Sequence, residues 1–349
     1  MSASPDLVAL LERAYALDAE DDAWLAGIAD ASKPMLDRGM GIFAFLYQTM
    51  NVTAWSLGKV VNIGAPPEVP EVLRAVAPQS PAEMTRRFFW SEPCITVLEL
   101  LGEGPGADFL RNVMGPHGAE DVLMIKAADP SGVALSLCAP LHEQTPIGRS
   151  TAALWSRLAA HLAAAHRLRR VLRDVAASAR AFSGAEAVLS PEGRCEHAEG
   201  PAQSANARTT LRAAAVQIDR ARGRLRKKDP EAALDLWRGL VAGRWSLVDQ
   251  FDTDGRRYLV ARRNDPRTPD PRALTERERQ VAHFVALGHT NKLVAYELGL
   301  SEASVATHLR RAVGKLGVGG RVQLVERVQQ LGGAEAPEGG RRATEDSNL

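Results

Sequence analysis

Apolar positions along this 349-residue chain fall into four kinds of pattern. Near the C-terminus, Val281, Phe284 and Val285, then Leu293, Val294 and Leu298, then Val305, Leu309, Ala312, Val313 and Leu316 recur at helical spacing. Each run opens on a capping residue (Thr275 with Glu278 three residues on, then Thr290, then Ser301) and stops at a glycine (Gly288, Gly299, Gly317). A fourth helix from about Arg321 offers Val322, Leu324, Val325 and Val328 for docking. Further upstream, WSLVDQFDTDGRRYLVARR alternates apolar and polar residues about an Asp-Gly pair, and AVLSPEGRCEHAEG turns at Pro191-Glu192-Gly193, so each predicts a hairpin. Between them, Leu211, Ala215, Ile218 and Leu225 line one side of a basic helix.

In the N-terminal part, two amphipathic helices are expected between Pro5 and Leu36, and MGIFAFLYQ and SLGKVVNIG read as strands. Helical stretches follow around Pro67 to Ala77 and Pro81 to Phe89, with strand-like runs at CITVLELLG, DVLMIKAAD and GVALSLCAP. A long helix starts near Pro146, with Leu154, Leu158, His161, Ala165, Leu168, Leu172 and Val175 at heptad spacing. That seam is expected to pair two protomers. A helix packed on its own domain has the same spacing.

Two short helices joined through Gly299-Leu300-Ser301, the second presenting Thr307, Arg310 and Arg311 opposite its apolar stripe, describe a helix-turn-helix for duplex DNA. The run LTERE, then GHTNKLVAYELGLS, then SVATHLRRAVGKLGV resembles the LuxR-type DNA-binding domain of bacterial regulators. The resemblance spans Leu274 to Leu331, about one-sixth of the chain, and implies a four-helix module used as a dimer on two related half-sites. Carried over by position, it implies base contacts by Ala306, Thr307 and Arg310. Phosphate contacts would fall to Thr290, Asn291, Lys292, Ser301, Arg311, Lys315 and Arg321. The chain departs from the family at Ala306, where a lysine is common, and at Gly319-Gly320, where a serine-rich helix start is usual. These departures motivate the alternative, a degenerate module that contacts RNA polymerase or another regulator.

Hairpin, helices, hairpin is the order of a small PAS-like α+β domain. Helices on a central antiparallel sheet that lead into a long exit helix resemble a GAF-like sensor. The fold class is therefore multidomain, α+β plus all-α. The expected parts are a GAF-like domain at 1–146, a connector and dimerisation helix at 147–182, and a PAS-like domain at 183–265. A linker at 266–273 (in RRNDPRTPDPRA), the helix-turn-helix at 274–331 and a disordered tail at 332–349 complete the chain.

Composition changes this picture little. The chain is 45% hydrophobic and 24% charged with a formal net charge of +1, ordinary for globular protein. Its basic charge concentrates late, with twelve Lys/Arg against seven Asp/Glu in residues 262–331. Three widely spaced cysteines, an acidic N-terminal segment and no apolar run of membrane length predict a cytoplasmic protein with reduced thiols and no membrane partner. No receiver-domain arrangement surrounds Asp21 and Asp22, and Gly102, Gly104 and Gly106 read as a loop rather than a phosphate cradle. No nucleophile motif, metal spacing, haem-ligand signal or flavin-type cysteine motif points to an enzyme or a cofactor. Asp252-Thr253-Asp254-Gly255 lacks the acidic first and last ligands of a calcium loop and reads as a turn. Cys94, Cys138, His117 and Trp90 are candidates to line a cavity for an unidentified small molecule, with structural burial as the alternative. The basic run from Arg220 to Lys228 is a candidate for auxiliary phosphate contact or a solvated helix face.

Overall fold

The computed structural model describes residues 6–51, 54–79, 82–175, 185–237, 240–241, 244–251, 255–264 and 274–332. The linker at 266–273, residues 176–182 of the connector, the turn residues 252–254 and the tail beyond 332 lie outside them. Helix α1 (Leu7–Ala14) starts where the Asp6 carboxylate accepts from the Ala9 N–H, and α2 (Asp21–Leu36) follows. The Trp24 indole ties the two by donating to the Ala14 carbonyl at 2.8 Å.

Five antiparallel strands, β1 (Ile42–Asn51), β2 (Ala54–Ile63), β3 (Cys94–Thr96), β4 (Asp121–Ala128) and β5 (Val133–Leu141), form a first sheet in the order β2-β1-β5-β4-β3. Every residue of β4 and β5 is buried, so alternation sorts side chains between two covered faces. Ile42, Ala44, Leu123, Ile125, Leu135 and Leu137 face α1, α2 and the long helix α7 (Arg149–Val175). Phe43, Phe45, Tyr47, Val122, Met124 and Cys138 belong to the core on the other side. That side is covered by α3 (Val69–Val76), α4 (Ala82–Trp90), α5 (Val97–Leu101) and α6 (Pro105–Met114). CITVLELLG is strand only to Thr96. Thr96 Oγ1 accepts from the Glu99 N–H at 3.2 Å and Asp121 Oδ1 from the Leu98 N–H at 2.9 Å, so side-chain acceptors at a helix start outcompete strand pairing.

A second five-stranded sheet contains β6 (Ala185–Leu189), β7 (Cys195–Ala198), β8 (Leu240–Val241), β9 (Trp245–Phe251) and β10 (Arg257–Arg263), in the order β7-β6-β10-β9-β8. Helices α8 (Ala205–Arg222), α9 (Leu225–Lys228) and α10 (Pro230–Leu236) lie between β7 and β8. Counted within each sheet, both orders are second, first, fifth, fourth, third. The predicted succession of hairpin, helices and hairpin is present. The basic run at 220–228 is partly engaged, since Arg226 pairs with Asp6 at 2.7 Å and Glu12 at 3.0 Å, and Arg222 pairs with Glu12 at 3.1 Å.

In helix α7 the residues expected as a dimer seam pack within the one chain. Leu158, His161, Ala165 and Leu168 are all 0% exposed within this one chain, and Leu154 and Leu172 pack against the same core. Val175 ends the helix, and its side chain lies outside the described residues. One apolar core runs from α1 and α2 across the first sheet and α7 to α8, α10, β9 and β10. The heptad spacing is thus used to place two sheets on one helix. Arg167 joins them, pairing with Asp129 beside the first sheet and donating to the Asn264 side chain at 2.9 Å.

The first sheet depends on a close backbone approach. Gly41 has φ of +72°, and a Cβ there would stand 2.1 Å from the Gly64 carbonyl carbon. Gly41→Ala is therefore expected to lower stability by at least about 2 kcal/mol, read from the urea midpoint. An unchanged midpoint would mean that this approach is dispensable.

Candidate nucleic-acid interface

Helices α11 (Glu276–Ala286), α12 (Asn291–Leu298), α13 (Glu302–Leu316) and α14 (Arg321–Gly332) form the terminal domain. Each of the first three starts at its predicted cap. Thr275 Oγ1 accepts from the Glu278 N–H at 3.4 Å while Glu278 Oε2 accepts from the Thr275 N–H at 2.9 Å, a closed capping box. Thr290 accepts from Leu293 at 3.3 Å and Ser301 from Ser304 at 3.1 Å. Gly299 and Gly317 end α12 and α13 at φ of +61° and +65°, where a side chain would be strained. Val281, Phe284, Val285, Val294, Leu298, Val305, Ala312, Leu324 and Val328 form the interior. Val322 does not dock as its spacing suggests and is 72% exposed.

The expected contact residues divide into two groups. Arg310 and Arg311 are exposed on α13, with Ala306 and Thr307 half-buried before them. Thr307 Oγ1 donates to the Ala303 carbonyl at 2.9 Å. Thr290 and Lys292 are exposed at the start of α12, as is Ser301 at the start of α13. The second group has internal partners. Lys315 Nζ donates to the buried carboxylate of Glu278 at 2.8 Å, tying the end of α13 to the start of α11. Arg321 donates to Asn291 Oδ1 at 2.8 Å and to the His289 carbonyl at 2.7 Å, bringing the starts of α14 and α12 together. Lys315 and Arg321 thus brace the module in this arrangement, and Asn291 is held by the second of them. His289 stacks on Phe284 and lies 3.1 Å from Glu297 with both side chains buried.

Sequence reasoning missed where this module meets the rest of the chain. The Tyr296 hydroxyl lies 2.6 Å from His161 Nε2, with the two rings edge-on at 5.5 Å. Gly288, between α11 and α12, sits on the segment after α4: a Cβ there would lie 3.1–3.2 Å from the Ser91, Glu92 and Trp90 backbone. Thr290, Lys292 and Tyr296 line a cleft of about 1450 Å³ whose other walls carry Ser156, Arg157, Thr210, Glu231 and Asp235 of α7, α8 and α10. The one available signal was His161 itself, an imidazole on an otherwise apolar seam.

The four cavity candidates are not brought together. Cys138 lines an apolar pocket on the first sheet, whereas Cys94 packs into the core on the opposite face. His117 lies 3.4 Å from Glu68, and Trp90 borders Val285 and Gly288 at the joint with the terminal domain. Among the described residues, no group of three or more His, Cys, Asp or Glu side chains is placed to hold a metal, and no helix is long and apolar enough to cross a membrane.

Burial, reinforced by the charge of Arg157, pushes the His161 pKa down to about 3, and burial with Arg170 pushes that of His166 down to about 4. Both imidazoles are neutral at pH 7. Because the unfolded chain takes up a proton near pH 6.5, stability is full above that value and falls as pH drops toward the two folded values. Unfolding free energy is expected to be lower at pH 5 than at pH 7 by about 2–4 kcal/mol, from about 2 for each histidine. Denaturant unfolding at the two pH values measures it. His161→Gln should flatten the dependence, and an unchanged slope in that variant would assign it elsewhere.

Residues 272–328, which take in α11, α12, α13 and the first part of α14, match the model of the bacterial regulatory proteins of the luxR family. Over 62 residues the chain is 42% identical to the spore germination protein GerE of Bacillus subtilis, covering 18% of this chain and 84% of that one. It is 37% identical over 112 residues to the nitrate/nitrite response regulator protein NarP of Escherichia coli, covering 32% of this chain and half the length of that relative. Escherichia coli SdiA aligns over 90% of this chain and 92% of its own at 11% identity and a TM-score of 0.26. Through its four terminal helices, the chain belongs to the luxR family of bacterial regulatory proteins.

Proposed function

We propose that this chain is a one-component transcriptional regulator, binding promoter DNA as a dimer on two related half-sites, with residues 6–264 as a sensor that sets how readily it binds. The carrying observation is a luxR-family helix-turn-helix whose α13 exposes Arg310 and Arg311 while its α12 is held against α7. An exposed helix face of this kind suits the major groove, where an arginine can pair with a guanine edge. Phosphates flanking the groove would be met by Thr290 and Lys292 at the N-terminus of α12.

That placement supports regulation by docking. A DNA backbone reaching Thr290 and Lys292 enters the cleft opposite Glu231 and Asp235, so docking and DNA compete for the same side of α12. An input that parts α12 from α7 raises promoter affinity, because it favours the state that DNA also favours. The packing of the two sheets on α7 supports reading residues 6–264 as one input unit.

Selection of DNA from a random pool with the full chain is expected to enrich a two-fold related site whose affinity falls steeply with salt. Enrichment of no sequence, with no salt-dependent affinity, would leave the module as a protein-interaction surface. Arg310→Ala should weaken the selected site by about 1–3 kcal/mol and relax preference at one base position. Tyr296→Phe, which removes only the hydroxyl facing His161, should tighten DNA binding severalfold in the full chain. Unchanged affinity in that variant would separate the docking contact from DNA binding.

A further inference from the structure

The helix layer and the first sheet form a partly open pocket of about 140 Å³, lined by Phe43, Phe45, Met124 and Cys138 from the strands and by Phe88 and Leu100 from the helices. Among the described residues, no charged side chain lines it. Burial raises the Cys138 thiol well above its ordinary pKa, so that group is neutral too. Thr85 of α4 brings a hydroxyl to this lining. Thr85 is a lining residue and 2% exposed, and among the described residues its hydroxyl has no hydrogen-bond partner. A buried hydroxyl left unpaired is a standing cost that a ligand donor or acceptor removes. Apolar protein cavities of roughly 150 Å³ stay dry and accept a molecule the size of benzene.

Helix α4 also reaches the terminal domain. At its end, the carbonyls of Phe88, Phe89 and Ser91 accept from Lys126 Nζ at 2.6, 3.2 and 2.7 Å. Lys126 stands on β4 and is 2% exposed, so it anchors these carbonyls to the sheet. The next backbone, Trp90 to Glu92, is the surface on which Gly288 rests. Thr85 and Phe88 therefore stand on one short helix whose end meets the turn between α11 and α12.

We propose that this pocket binds a small, uncharged, mostly apolar molecule about the size of a monocyclic aromatic, hydrogen-bonded to Thr85, and that α4 transmits its presence to the helix-turn-helix. The proposal rests on reading residues 6–264 as the sensor and specifies the chemistry of the input. The described lining offers a charge no partner, and the volume suits a molecule of about this size. One hydrogen-bonding group is called for by Thr85.

The test uses the full chain with p-cresol, toluene and benzoate as probes in isothermal titration calorimetry. Saturable binding of p-cresol is expected, with toluene about tenfold weaker, the difference expected of one hydrogen bond, and no binding of benzoate. Thr85→Val should bring p-cresol down to the affinity of toluene. Val113→Trp, which fills the pocket from a half-buried helix position, should abolish both. Binding of benzoate in preference to the neutral probes, no saturable binding of either neutral probe, or an unaltered p-cresol affinity in Thr85→Val overturns the site. With p-cresol saturating, affinity for the selected DNA should change by about fivefold or more, the lower end of allosteric coupling. No change overturns transmission through α4. Failure of the chain to bind any DNA both with and without p-cresol would overturn the regulator reading instead, and the calorimetric result does not depend on it.

Discussion

A helix buried on nearly all sides must satisfy its polar side chains inside the protein, and α7 is such a helix. Its middle, from Leu158 to His166, has no exposed residue, yet it carries His161 and His166, with Arg167 and Arg169 just beyond. Left unpaired, an arginine there would cost several kcal/mol, of order 3–5. Paired, each polar group fixes a different part of the chain. Arg167 joins Asp129 to Asn264 and so sets one sheet against the other. Arg169 donates to the carbonyls of Ala16, Leu17 and Ala19, holding the turn between α1 and α2, and its guanidinium lies over the Trp24 ring. His161 meets Tyr296 of the terminal module. The relative placement of the two sheets and the terminal module thus follows from the polar requirements of one helix.

The terminal module divides its positive charges along the same line. Lys315 and Arg321 are drawn to carboxylate, amide and carbonyl oxygens that cap or join helices, whereas Arg310, Arg311 and Lys292 remain on the surface. Proximity decides this. Lys315 stands beside the buried Glu278 carboxylate, and pairing a buried charge outweighs the freedom of an exposed ammonium. The surface positions have solvent on their outer side.

Local rules made the terminal helices legible. Thr275, Thr290 and Ser301 cap because their oxygens reach N–H groups two or three residues on, and Gly299 and Gly317 end helices because they can take positive φ. None of this needs a tertiary partner. The same holds for the two hairpins of the second sheet. What was not legible depended on distant residues. The heptad on α7 is equally suited to a second protomer or to two sheets of its own chain, and spacing alone does not distinguish them. CITVLELLG has the composition of a strand, but Asp121, more than twenty residues away, supplies an acceptor that helps start a helix there. Val322 repeats in phase with the docking face and still points outward. Lys126 was readable in principle: one lysine within the apolar run DVLMIKAAD has to find partners, and those partners proved to be the end of α4. The pocket beside Thr85 left no trace in the pattern, because it arises where helices and sheet fail to fill the space between them.

The shared core also constrains how the chain can be made. Residues up to Val175 complete the first sheet and all of α7, but the side of α7 that faces the second sheet stays bare until β9 and β10 have been synthesised, some ninety residues later. At about 5–20 residues per second, a ribosome leaves that apolar surface uncovered for several seconds or more. The nascent chain is then most exposed to aggregation midway through translation, and a holding chaperone would act at that stage rather than on the finished N-terminal sheet.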